Sequence, residues 1–150
     1  TITEEFLHKY NLWIEDGGAT TVNGFKKLLK EEQEFLLDYL DNMSVYEKIR
    51  VNNQNYILVH SLPSDLQNKK NLNYQIEEVL FGRPDFTASW NQEDIYIIGH
   101  TPTFKIPGAV PGKIYRRNNL IDIDCGCVTG HALCAYCIDT GEAFYEPVLI

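Results

Sequence analysis

Apolar residues in the first third of the chain recur every three or four positions, the period of an amphipathic helix. Phe6, Leu7, Tyr10 and Trp13-Ile14 make the first stripe. Thr3 ahead of it is a good cap, and Glu4 and Glu5 put acids at the positive end of the helix dipole. Asp16-Gly17-Gly18 predicts the stop. A second helix is expected from Thr20 or Thr21, with Val22, Phe25, Leu28 and Leu29 on one face, and a third with Phe35, Leu36, Tyr39, Leu40 and Met43. All three stripes read as core surface. The acidic run from Glu31-Glu32 through Glu34 reads as a solvated helix face, and His8 as a solvated helix residue.

After Asn42 the period shortens to two. Val45 to Val51 alternates as a half-exposed strand does, Asn52 to Asn55 is turn chemistry, and Tyr56-Ile57-Leu58-Val59 is the continuous apolar run of a buried strand. The pair reads as a hairpin. A short helix is predicted over Tyr74 to Phe81 and a second buried strand over Ile95 to Ile98. Strands are expected at Lys113–Arg116, Leu120–Asp124, Ala132–Ile138 and Ala143–Tyr145, with tight turns at Asn118-Asn119 and Thr140-Gly141.

The 150 residues suffice for one ordinary domain, and an apolar fraction of 44% argues for a folded chain. Thirteen Lys and Arg stand against twenty-one Asp and Glu, a net charge of -8, which disfavours a nucleic-acid partner because phosphate backbones reward excess cations. No apolar run approaches the roughly twenty residues a membrane helix needs, so no membrane partner is expected. Thr1 to Glu5 shows neither the basic start nor the apolar stretch of a secretion signal, so a cytoplasmic location is expected, with the four cysteines as thiols.

The candidate chemistry lies in two similar strand endings. Tyr56–Val59 runs into His60 and breaks at Ser61-Leu62-Pro63; Ile95–Ile98 runs into Gly99-His100 and breaks at Thr101-Pro102-Thr103. In sheets covered by helices, ligands gather beyond the carboxyl ends of the strands, where a neutral imidazole suits zinc, iron or manganese. The competing reading of either histidine is a hydrogen-bonded strand-end residue.

Gly99-His100-Thr101-Pro102 resembles the Gly-His-Thr-Pro motif of calcineurin-like metallophosphoesterases of the bacterial serine/threonine protein phosphatase branch. Leu58-Val59-His60 is similar to their Leu-Val-His-Ala-Gly, with Ser61-Leu62 in place of Ala-Gly. Trp13 to Thr21 resembles their Trp-x-x-Asn-Gly-Gly-x-x-Thr stretch, and Ile123 to Leu133 their closing Ile-Asp-x-Gly-x-x-x-Gly-Gly-x-Leu segment. The resemblance implies an α/β fold, part of the layered α/β/β/α sandwich of metallo-dependent phosphatases. It implies a phosphoric-monoester hydrolase acting on a phosphorylated protein, through two divalent metal ions (Mn, Fe or Zn) that activate a bridging hydroxide. His60 and His100 match ligands of one metal. Arg83 resembles an arginine that grips the phosphoryl oxygens, a task suited to the guanidinium fork, the plainer alternative being a surface salt bridge to Asp85 or another acid.

The family's Asp-x-His, Gly-Asp-x-x-Asp-Arg and Gly-Asn-His-Asp/Glu motifs, which supply the other ligands and the leaving-group acid, do not occur in this sequence. Residues 1–150 are therefore expected to be the C-terminal portion of a single metallophosphoesterase domain, inactive alone. The alternatives are a hydrolase of diadenosine tetraphosphate or another small phosphate ester, and a non-catalytic binding module derived from the fold. Cys125, Cys127, Cys134 and Cys137 invite a zinc reading, but Cys134 and Cys137 would point to opposite faces of a strand, so the thiols are expected to bind no zinc. Asp124 is expected either to line the site or to fix the strand end. His131 stands where the family has glycine and is assigned no role.

Overall fold

Thr3 opens the first helix as its capping residue: its hydroxyl accepts from the Phe6 amide at 3.1 Å, and helix α1 runs over Glu4–Trp13. This is a computed structural model, describing residues 2–64, 76–88 and 93–148, and its contacts divide the chain into two units, Thr1–Met43 and Ser44–Ile150. Within the first unit, Ile14–Gly18 is a kinked segment in which Asp16 and Gly17 leave helical geometry, Gly17 with φ of 98°. Gly18 is buried against the Trp13 ring, and a Cβ there would stand 2.5 Å from the ring carbons, so the Trp-to-Gly-Gly stretch builds a bend. Helices α2 (Ala19–Phe25) and α3 (Lys30–Asp41) follow.

The second helix is shorter than its apolar stripe. It ends before Leu28 and Leu29, and Met43 lies beyond α3. The expectation that the three stripes are core also needs correction. Neither α1 nor α3 contains a buried residue, and Phe35 is 73% exposed. Three short helices have too little volume to enclose their own apolar faces. Trp13, Val22, Phe25, Leu36, Leu37 and Leu40 instead line an open cleft of about 430 Å³.

The second unit is built on a five-stranded sheet. Strands β1 (Tyr46–Val51) and β2 (Gln54–Val59) form the expected hairpin, joined by Asn52 and Asn53 at φ of 50° and 64°. Asparagine tolerates this left-handed pair, which suits the twist of a two-residue turn. Helix α4 (Ile76–Phe81) precedes β3 (Ile95–Ile98); the expected start of α4 at Tyr74 lies outside the described residues. Strands β4 (Tyr115–Arg117) and β5 (Leu120–Asp122) complete the order β1-β2-β3-β5-β4. The middle strands β2, β3 and β5 are mutually parallel, and both edges are antiparallel. A separate hairpin pairs β6 (Ala132–Tyr136) with β7 (Ala143–Pro147). The chain is thus mixed α/β.

Alternation along the parallel strands sends Ile57, Tyr96, Ile98 and Leu120 to one face, where they pack with Leu62, Phe86 and Ile106 as the core. Ile97 and Ile121 are buried on the other. The apolar run of β3 is thus buried on both faces, as expected, while in the run of β2 only Ile57 is buried and Tyr56, Leu58 and Val59 are half-buried. Among the described residues no helix is long and apolar enough to cross a membrane.

Candidate functional site

Strands β2 and β3 pair in parallel with Leu58 opposite Ile97, so both chains leave the sheet at the same edge. The amide of Gly99 donates to the carbonyl of His60 at 3.1 Å, extending the ladder one step past the strands. His100 then takes φ of 67°, a left-handed conformation costly for a residue with a Cβ. That turn brings its ring back over the neighbouring strand end. His60 Nε2 and His100 Nδ1 are 3.1 Å apart, with ring planes at 64°.

Two nitrogens held by one ion at about 2.1 Å stand roughly 3.0–3.4 Å apart between right-angle and tetrahedral geometry, a spacing this pair shares. A separation of 3.1 Å is equally the length of a ring-to-ring hydrogen bond, the plainer reading of the two histidines. Ligation requires neutral imidazole. His100 meets that condition: partial burial, then the His60 ring and the Arg83 charge, hold its pKa below the ordinary histidine value, against a smaller opposing pull from Asp124. Among the described residues no group of three or more His, Cys, Asp or Glu side chains is placed to hold a metal ion. The two histidines fit as part of a ligand set rather than as a whole one.

Arg83 reaches this neighbourhood through the loop after His60. Ser61 and Leu62 are fully buried; the Ser61 amide donates to Val79 O at 2.8 Å and its hydroxyl to Gly82 O, which ties the strand end to the end of α4. A Cβ on Gly82 would stand 2.2 Å from Glu78 O and 2.4 Å from Leu62 O, so only glycine lets these backbones meet. Arg83 follows directly. The plainer alternative, a salt bridge to Asp85, is not formed, and Asp85 Oδ1 accepts from the Thr87 amide at 2.8 Å and hydroxyl at 2.6 Å. Among the described residues no carboxylate stands within ion-pair distance of the exposed Arg83 guanidinium. Gly82→Ala should therefore cost about 1–3 kcal/mol of stability, the range for overpacking, as read by urea denaturation. Arg83 and His60 amide shifts should move with it.

The third parallel strand ends at Asp122, and the chain turns through Ile123 and Asp124. Asp124 accepts from the Gly126 amide at 3.0 Å, and its charge is felt by His100, so it both fixes the loop and borders the site. The sequence does not single out Asp122, which lies inside the strand expected over Leu120–Asp124. It is fully buried; Oδ1 accepts from the Asp124 amide at 2.8 Å, Oδ2 has no partner, and burial pushes its pKa up to about 8.

No protein-family model and no curated protein matches the chain.

The cysteines are four unpaired thiols. The expected strand parity of Cys134 and Cys137 needs correcting, because β6 ends at Tyr136 and Cys137 lies beyond it, while Cys125 stands in a loop and Cys127 opens a short 3-10 turn, Cys127–Thr129. Cys134 donates to Ile123 O at 2.8 Å and its sulfur accepts a hydrogen bond from the Cys125 thiol, which burial pushes up to about 12. Such thiols are unreactive neighbours of the core. His131 stacks on Phe104 with ring centroids 4.7 Å apart and planes at 5°.

Proposed function

We propose that the chain is part of a metal-dependent phosphoric-monoester hydrolase of the serine/threonine protein phosphatase type, within a layered α/β/β/α sandwich. The observation that carries this reading is the 3.1 Å approach of His60 and His100 at two adjacent parallel strand ends. They would hold one of two divalent ions, with the remaining ligands supplied by residues outside this pair. When bound, the metals supply a hydroxide at neutral pH for in-line attack on phosphorus. The chain's own contribution is positioning. His60 and His100 present two nitrogens at ligand spacing, and the β2–β3 ladder keeps them there. Arg83, free of a carboxylate partner among the described residues, supplies a planar fork for two phosphoryl oxygens. Asp124 borders His100 and orders the loop behind it. The substrate is a phosphorylated protein.

The second reading, a non-catalytic module that retains the scaffold, draws support from the absence of a three-ligand group among the described residues. Calorimetry with inorganic phosphate separates the two. Phosphate should bind in the presence of Mn2+ and lose about tenfold in affinity on Arg83→Ala, the cost of one charge-assisted contact. Phosphate binding that ignores Mn2+ would overturn the hydrolase reading. Turnover of p-nitrophenyl phosphate by this chain alone should not exceed that of a His100→Asn control, since the motifs carrying the bridging carboxylate and leaving-group acid do not occur in it.

A further inference from the structure

Two loops meet beside the histidine pair. The Thr101 amide donates to Gly99 O at 2.7 Å, so His100, at φ of 67°, is the middle residue of a γ-turn of the strained kind. Such a turn persists only where its surroundings hold it. Two bonds from outside the turn do so. The Gly99 amide donates to His60 O at 3.1 Å, and the Thr103 amide donates to Asp124 O at 2.8 Å. A Cβ on Gly99 would stand 3.7 Å from the Asp124 Cβ, so the two loops are in ordinary contact. Asp124 is itself held from β5. The Ile123 amide donates to Ile98 O at 2.9 Å, and the Asp124 amide donates to Asp122 Oδ1 at 2.8 Å.

A carboxyl is an expensive choice at position 122. It follows Leu120 and Ile121 in a strand buried at every residue, and its Oδ2 has no partner among the described residues. An apolar side chain would continue the strand without leaving a buried oxygen idle. Among the described residues the carboxyl makes a single hydrogen bond, and that bond goes to the loop on which the His100 turn rests.

We propose that Asp122 is a positioning residue for His100: through the amide and carbonyl of Asp124 it holds Thr103, and with it the turn that brings the His100 ring to His60. The consequence for metal affinity rests on the phosphatase reading; the placement of the ring does not. The test uses the full chain, metal-free and isotope-labelled at the histidine nitrogens, and reads the coupling between His60 Nε2 and His100 Nδ1 across their hydrogen bond. Asp122→Asn keeps an acceptor for the Asp124 amide and should keep the coupling. Asp122→Val has none and should lose it, while the amide shifts of Tyr96 and Leu120 stay in place. Thr103→Pro breaks the relay from its other end. Pro102 has ψ of 135°, which suits a following proline, and Thr103 is the first residue of a 3-10 turn, where a proline fits. That variant should lose the coupling too. Mn2+ affinity should fall about tenfold or more in Asp122→Val and Thr103→Pro and hold in Asp122→Asn. If Mn2+ binds none of these proteins, wild type included, the metal reading fails and the coupling still decides the relay. Absence of the coupling from the wild type, its survival in both Asp122→Val and Thr103→Pro, or its loss in Asp122→Asn overturns the inference. So does collapse of the sheet in both disrupting variants, since the relay would then support β5 rather than His100.

Discussion

His100→Asn should lower the affinity of the chain for Mn2+ by at least about 10- to 100-fold, the loss that changes even outside the ligand shell produce. Asparagine is the informative replacement. It tolerates the φ of 67° that His100 adopts, so the backbone survives while the ring nitrogen is removed. His60→Ala should have a comparable effect, and the double replacement should cost less than the sum, because one ligand without the other holds an ion poorly. His131→Phe serves as control and should change nothing. Calorimetric titration measures the affinities, and paramagnetic broadening by Mn2+ locates the ion at Gly99 and His60. Unchanged affinity in both single variants would sink the shared-metal assignment. Since His100 is held below the ordinary histidine pKa, protons should displace the metal from it only at a pH lower than an ordinary histidine would allow.

The second large effect is expected at Asp122. Its carboxyl is fully buried with Oδ2 unpartnered, and its pKa is raised from 3.8 to about 8. The sign follows from proton counting. Below about pH 4 both folded and unfolded chains bind the proton, and the group has no effect on stability. Between about pH 4 and about 8 only the folded state keeps it, so stability falls as pH rises, by up to about 1.4 kcal/mol per unit. Above about pH 8 both states are ionised and the loss levels off. Asp122→Asn can still accept from the Asp124 amide and never ionises. It should raise stability at pH 7 by about 3 kcal/mol, less than the full linkage because its own NH2 is left without a partner. Near pH 4 the linkage gain is almost gone and the unpartnered NH2 remains, so Asp122→Asn should be the less stable there by up to about 1 kcal/mol. Hydrogen exchange of β3 and β5 amides across this range reads the effect where it arises, and parallel pH profiles for the two proteins would refute it.

Much of the local structure was legible because it depends on neighbours in the chain. Thr3 caps α1, the run at 95–98 is the strand expected there, and the turn expected at Asn118-Asn119 has Asn118 at φ of 51°. The turn expected over Asn52–Asn55 is tighter, so that the strand expected over Tyr56–Val59 already begins at Gln54. Those preferences act within a few residues, so a short window of sequence contains them. Helix ends were less legible: Leu28 and Leu29 continue an apolar stripe that α2 does not follow, since periodicity records which residues seek burial and not where hydrogen bonding stops.

What the chain's order of residues could not decide was which distant groups meet. His60 and His100 each stood at a strand end, but their approach required β2 and β3 to be parallel neighbours in one register; a shift of one residue would have turned one ring to the other face. That Arg83 pairs with none of the described carboxylates, and that the contact of Gly82 with Leu62 sets its place, are properties of the folded loop. Asp122 lies within the strand expected over Leu120–Asp124, and only the fold makes it the end of a strand buried at every residue. Sequence patterns report local preference and the direction of burial. Partnership between residues far apart is set by strand order and register, which depend on how the whole core packs.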